Sequence, residues 1–202
     1  MRSFEELTFM AEIRVVKREM REKYSAIRNE MDKAKRDEFD KKIFDRLTAS
    51  ITYRHSNEIL LYASMGSEID TWAIFDAAIK AGKKVAYPLC FEDNTMKYYY
   101  VSSRDDLEEG AFGILEPKKG LEEYVPSSLS ICVVPAIVFD KEGYRIGYGK
   151  GFYDRFLSNF PGVKVGLVYS NMIIPRVPRG RFDKHVDILI SERGVSAVNA
   201  SR

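Results

Sequence analysis

The chain is poor in the residues that announce a special environment. Of its 202 residues, two are cysteine, two are histidine and one is tryptophan. Cys90 and Cys132 stand far from any metal-ligand spacing, so a thiolate zinc or iron–sulfur centre and a disulfide scaffold are excluded. Both are read as reduced, mostly buried thiols. Apolar runs are short, too short to span a bilayer. Met1 to Met10 carries acids and lacks the apolar core of a secretory leader, so cytoplasmic residence is expected. Charge of one sign is missing too. With 32 basic and 30 acidic residues the net charge is +2, which leaves no electrostatic footprint for long nucleic acid. No repeat, low-complexity tract or linker divides the chain, and residues 1–202 are read as a single domain. A monomer is expected, with a homodimer left open.

What the chain does have is glycine concentrated in one place: Arg145-Ile146-Gly147-Tyr148-Gly149-Lys150-Gly151-Phe152-Tyr153-Asp154-Arg155-Phe156-Leu157. Glycines at alternate positions let backbone N–H groups approach a ligand unobstructed. A helix from about Phe152 to Phe160 follows, and helix amino ends favour anions. Lys150 and Arg145 add positive charge, and Asp154 is a carboxylate suited to magnesium. The stretch fits no standard phosphate loop. Counting from Gly143, the second glycine of a Walker loop falls on Tyr148, and the dinucleotide pattern of spaced glycines fails as well. Lys150-Gly151-Phe152 opens like an RNA-binding strand motif, but Asp154 and Arg155 break it. A strand at Asp154 favours that reading, and a helix favours a phosphate site.

Around this stretch the pattern is α/β. Ile13 to Met31 and Phe39 to Ile51 show helical spacing, with Asp32 a cap between them. Lys17 and Arg21, four apart, share a face and read first as surface charges. Glu58–Ala63 reads as a strand, Asp70 or Thr71 caps a helix ended by Gly82, and Lys83–Pro88 is the next strand. This is a parallel strand–helix–strand unit. Further strands are expected at 96–101, 130–135 continuing through 136–140, 163–169 and 186–190, with a loop at 173–181. The expected fold is one open, mostly parallel sheet covered by helices in a Rossmann-like three-layer αβα arrangement, with a helical amino-terminal section. Glu68 lies just past the carboxyl end of its strand, where open α/β sheets bind ligands.

The glycine stretch closely resembles the signature of the 5-formyltetrahydrofolate cyclo-ligase (methenyltetrahydrofolate synthetase) family, with Phe-Tyr-Asp where Tyr-Tyr-Asp is usual. Lys17-Arg18-Glu19-Met20-Arg21, Ser67-Glu68-Ile69-Asp70-Thr71, Phe112-Gly113-Ile114-Leu115-Glu116-Pro117, Val134–Asp140 and Asp183-Lys184-His185-Val186-Asp187 resemble further family segments in order. The resemblance implies an ATP- and Mg²⁺-dependent enzyme that closes 5-formyltetrahydrofolate to 5,10-methenyltetrahydrofolate through a phosphorylated formyl oxygen, with ADP and phosphate released. Its partners are therefore small molecules, not nucleic acid or membrane. It further implies that Lys150, Arg145 and Asp154 serve catalysis, and that Lys17, Arg21, Arg145, Gly147, Tyr148, Gly149, Lys150, Gly151, Phe152 and Tyr153 meet ATP. Glu68 takes the pterin edge, with Tyr148 to Phe152 lining the folate, and Asp154 and Asp187 hold the metal. Phe112 and Glu116 shape the folate pocket. Arg176, Arg179, Arg181, Lys118 and Lys119 are candidates for its anionic tail.

Overall fold

The computed structural model describes residues 4–110 and 113–198; Phe112 lies outside them. The amino-terminal section is α1 (Phe4–Asn29), α2 (Lys33–Ala49) and α3 (Ile51–His55). Asp32 caps α2, its Oδ2 accepting the Lys35 N–H at 3.1 Å, which satisfies a donor the helix itself leaves orphaned.

Then come β1 (Glu58–Leu60), α4 (Trp72–Lys80), β2 (Lys84–Cys90), β3 (Met96–Val101), β4 (Leu107–Glu109), β5 (Leu115–Pro117), β6 (Ser130–Val134), β7 (Val138–Asp140), β8 (Arg145–Ile146), α5 (Phe152–Leu157), β9 (Val163–Leu167), β10 (Ile173–Ile174), β11 (Ile188–Ser191) and β12 (Gly194–Ala197). The main sheet runs β12-β11-β9-β6-β1-β2-β3. Its five inner strands are parallel, and the edge strands β3 and β12 are antiparallel. β6 is buried at every position, as expected where helices cover both faces.

Pairing in β2 and β3 shows which helices cover which face. Tyr87 lies opposite Tyr99, and Pro88 opposite Tyr98. Successive side chains alternate, so Tyr87 and Tyr98 point to opposite faces. Tyr87 stacks on Trp72 of α4 at 5.6 Å, and Tyr98 meets Phe156 of α5 at 4.8 Å. The expected three layers are present, with α4 on one face and α5 on the other.

Three local expectations change. Residues 136–140 do not prolong β6. Pro135 has no N–H to continue the ladder, and the chain turns into β7, which pairs with β8 and β10 in a separate small sheet. Part of the expected loop at 173–181 is therefore strand. Cys132 is buried, whereas Cys90, the last residue of β2, is exposed.

Candidate active site

The glycine loop links β8 to α5. Gly149 and Gly151 hold φ of +95° and +73°, values that L side chains adopt only with strain. α5 is a helix of six residues, so Asp154 lies on a helix, as the phosphate-site reading requires. So short a helix carries little dipole, and any cradle for an anion falls to the backbone N–H groups of the loop.

α1 lies along this loop. Lys17, Arg21 and Arg28 recur at four and seven residues, which keeps them on one helix face. Lys17 Nζ donates to Asp183. Arg21 Nε donates to the Gly147 carbonyl at 2.7 Å, and its guanidinium stands 3.1 Å from where a side chain at Gly149 would begin. These two residues are therefore bound to the loop and its neighbour, not loose on the surface. Arg28, 8% exposed, donates to Ser67 Oγ, the Ala136 carbonyl and the Tyr148 hydroxyl at 3.2, 3.2 and 3.1 Å. It was not among the expected residues, although its spacing from Lys17 and Arg21 was the available signal.

Glu68 stands in the turn after β1. One carboxylate oxygen accepts the Met65 N–H at 2.9 Å and the other accepts the Tyr148 hydroxyl. Desolvation, then the Glu68 charge, pushes the Tyr148 phenol up to about 12. The phenol is therefore neutral and a donor at physiological pH. Beside Met65 opens a groove lined by Ala63, Ser64, Trp72, Arg104, Gly113 and Leu115. Arg104 lies over the Trp72 ring at 5.2 Å. None of the expected tail cations lines it. Arg179 is bound to Asp140 and Glu142, and Lys118 donates to the Asp105 carbonyl.

Asp154 Oδ1 accepts from Arg145 Nη2 at 2.9 Å and from the Lys184 N–H at 3.0 Å. Arg145 also donates to the Lys184 carbonyl at 2.7 Å. Only 8% exposed, Arg145 is a clasp holding Asp154 and the 184 segment, a different position from the one expected of a group on a transferring phosphoryl. Both bonds to Asp154 fall on Oδ1, which leaves Oδ2 for another ligand. Asp187 is elsewhere occupied. It precedes β11, at the amino ends of the strands, and accepts the Lys164 N–H at 2.8 Å and its ammonium at 3.0 Å. Among the described residues the two acids have no common partner. Among the described residues no group of three His, Cys, Asp or Glu side chains is placed to hold a metal. Magnesium commonly takes one or two protein carboxylates, with phosphates and waters completing its shell. Asp154 Oδ2 therefore fits an ion that arrives with a nucleotide, not one resident in a protein cage.

The aromatic pair divides differently from expectation. The Tyr153 hydroxyl accepts from Tyr98 at 3.2 Å, and Tyr98 stands 3.8 Å from Cys132 Sγ. Tyr153 thus points into the core instead of toward a nucleotide. Phe152 is half-buried and packs on the core edge, with Arg155 at 5.8 Å from its ring.

A mostly parallel α/β sheet with a glycine loop, cations and carboxylates gathered beside it has the form of a small-molecule enzyme of the open α/β class. Comparison with known proteins makes this specific. The model of the 5-formyltetrahydrofolate cyclo-ligase family matches residues 13–192, and the chain belongs to that family of ligases. It is 32% identical to the 5-formyltetrahydrofolate cyclo-ligase of Haemophilus influenzae over 69% of this chain and 79% of that one. With the probable 5-formyltetrahydrofolate cyclo-ligase of Caenorhabditis elegans it shares 28% identity over 91% of this chain and 96% of the relative. The solved 5,10-methenyltetrahydrofolate synthetase of Aquifex aeolicus superposes with a TM-score of 0.82 at 35% identity, covering 93% of this chain and 95% of that one.

Proposed function

We propose that the protein uses Mg-ATP to close 5-formyltetrahydrofolate to 5,10-methenyltetrahydrofolate, releasing ADP and phosphate. A formamide oxygen is a poor leaving group. In this reading that oxygen attacks the γ-phosphorus and ADP departs. N10 then attacks the activated formyl carbon, and loss of phosphate and the N10 proton completes the ring. The protein's task is positioning and charge neutralisation. Backbone N–H groups of Gly147, Gly149 and Gly151 meet the phosphates, with Lys150 on the same loop and Lys17 and Arg21 supplied by α1. Asp154 Oδ2 holds the magnesium, which neutralises charge on the transferring phosphoryl group when bound. Arg145 keeps Asp154 oriented. Asp187 remains with Lys164 as a strand-start ion pair. Glu68 accepts the paired N–H donors of the pterin edge, and the groove past Met65 takes the aryl portion against Trp72.

One observation carries this reading. The Tyr148 hydroxyl, part of the phosphate loop, is hydrogen-bonded to Glu68, so a carboxylate suited to a pterin and a loop suited to phosphates meet within one side chain. We further read residues 1–202 as one domain acting as a cytoplasmic monomer on small molecules; no helix among the described residues is long and apolar enough to cross a membrane. The test is absorbance of the conjugated methenyl product after mixing protein, Mg-ATP and 5-formyltetrahydrofolate. Product that requires both ATP and magnesium is expected, and none above the blank would refute the assignment.

A further inference from the structure

Arg28 is a buried cation without a direct counter-ion. Its three bonds go to a serine hydroxyl, a backbone carbonyl and a phenol, and no carboxylate pairs with it among the described residues. Burying a guanidinium against neutral acceptors costs free energy that a solely structural residue has no need to incur. The nearest acid in its network is Glu68, reached through Tyr148. The phenol accepts from Arg28 Nη2 and donates to Glu68. The same helix face reaches the neighbouring loop residue as well, because Arg21 binds the Gly147 carbonyl. α1 thus pins two consecutive residues of the glycine loop, and the second of them carries the pin on to the Glu68 carboxylate. Ser67, adjacent to Glu68, is tied back to α1 twice, by Arg28 and by its own bond to Asn29 Oδ1 at 2.5 Å.

We propose that Arg28 is a positioning residue that couples the two substrate sites: through the Tyr148 hydroxyl it fixes the Glu68 carboxylate to the glycine loop, so that a nucleotide ordering α1 and the loop also orders the folate carboxylate. This rests on the function proposed above. Coupling of this kind is reciprocal, with each ligand raising the affinity for the other by one factor. With its raised pKa the phenol stays protonated, so the link is intact throughout the neutral range.

The experiment measures binding of 5-formyltetrahydrofolate with and without a magnesium complex of a non-hydrolysable ATP analogue. In the wild type the analogue is expected to tighten folate binding by a factor in the range of about 5 to 150. Tyr148→Phe keeps the ring and removes only the link. In that variant the factor is expected to fall close to one. Arg28→Met is expected to do the same, and the double variant to lose no more than the worse single one, because both act on one chain of bonds. A structural role alone would lower the melting temperature of Arg28→Met and leave the factor unchanged. If Arg28→Met does not fold, Tyr148→Phe decides alone. A wild-type factor of one, or an undiminished factor in Tyr148→Phe, overturns the inference even where wild-type protein forms methenyl product. Absence of product from the wild type overturns the function and this inference together.

Discussion

Arg145 and Asp154 form an ion pair across the base of the glycine loop, Nη2 to Oδ1 at 2.9 Å, with the arginine side chain 5% and the aspartate 25% exposed. Asp154→Ala therefore does two things. It removes the proposed magnesium ligand, and it strands a buried guanidinium that, among the described residues, keeps only the Lys184 carbonyl. The expected cost in stability is about 3 kcal/mol, the low end for breaking a buried pair. Asp154→Asn retains an acceptor for Arg145 and is expected to lose most of the turnover with a much smaller fall in stability. Urea unfolding and turnover measured on both variants separate the effects. Equal stability of Ala and Asn variants would refute the clasp, and magnesium-dependent turnover near wild type in Asp154→Asn would remove Asp154 from the metal site.

Gly149 tests the contact between α1 and the loop. At φ +95° an added methyl group is strained, and it would begin 3.1 Å from Cζ and Nη2 of Arg21. The flexible end of Arg21 can yield, so the main expense is backbone strain, about 1–3 kcal/mol. Displacing Arg21 from the Gly147 carbonyl is expected to raise KM for ATP about tenfold, as loss of a charge-assisted hydrogen bond does. Gly147→Ala is the control for stability: its φ is not positive and nothing stands within 4 Å of the added carbon. Similar melting temperatures for the two variants would refute the strain at Gly149.

Much of this was legible in residue order. Continuous apolar runs such as Ser130–Val134 mark strands buried on two faces, and Gly82 stops α4 where expected. What escaped was set by contacts distant in sequence. Pro135 signals the end of β6, but nothing local says that Val138–Asp140 will instead pair with Arg145–Ile146. Arg145 and Asp154 both appear as ligand residues in the motif, and only the 184 segment arriving from far along the chain shows one holding the other. Nothing near Arg28 in the sequence marks it, because its acceptors lie 39, 108 and 120 residues away. Tyr153 and Phe152 are equivalent on paper. Tyr98, 55 residues earlier, is what draws the first into the core.

Asp140 anchors the small sheet from which the loop springs. It is fully buried. Oδ1 takes the N–H groups of Glu142 and Tyr144 at 3.0 Å each, and Oδ2 takes the Val177 N–H at 3.1 Å and Arg179 Nη2 at 2.9 Å. Arg179→Met removes the only cation paired with this carboxylate among the described residues. Three backbone donors remain, so the expected loss is about 3 kcal/mol, not the upper limit for an uncompensated buried charge. β7 and β8 lead into the glycine loop, so KM for ATP is expected to rise as well. A change in urea stability below about 0.5 kcal/mol, the range of ordinary surface substitutions, would refute the anchor.

The last prediction concerns pH. Asp40 on α2 accepts the Tyr169 hydroxyl at 2.7 Å and the Asp70 N–H at 3.3 Å. Burial raises its pKa, and although these two hydrogen bonds oppose the shift, it stays above the ordinary aspartate value. The folded protein therefore holds this proton more tightly than the unfolded chain, whose aspartate titrates near ~3.9. Where the native state binds more protons, stability falls as pH rises. The contribution of Asp40 is thus fully present below about pH 4 and is lost as pH climbs through the higher folded value. Asp40→Asn removes the titration and keeps an acceptor for Tyr169. Its melting temperature minus that of wild type is expected to become more positive between about pH 4 and pH 7, because only the wild type must carry a buried charge at the upper end. Melting curves of both proteins across that window check this, and a difference that stays flat or runs the other way would show that the hydrogen bonds, not burial, govern this carboxylate.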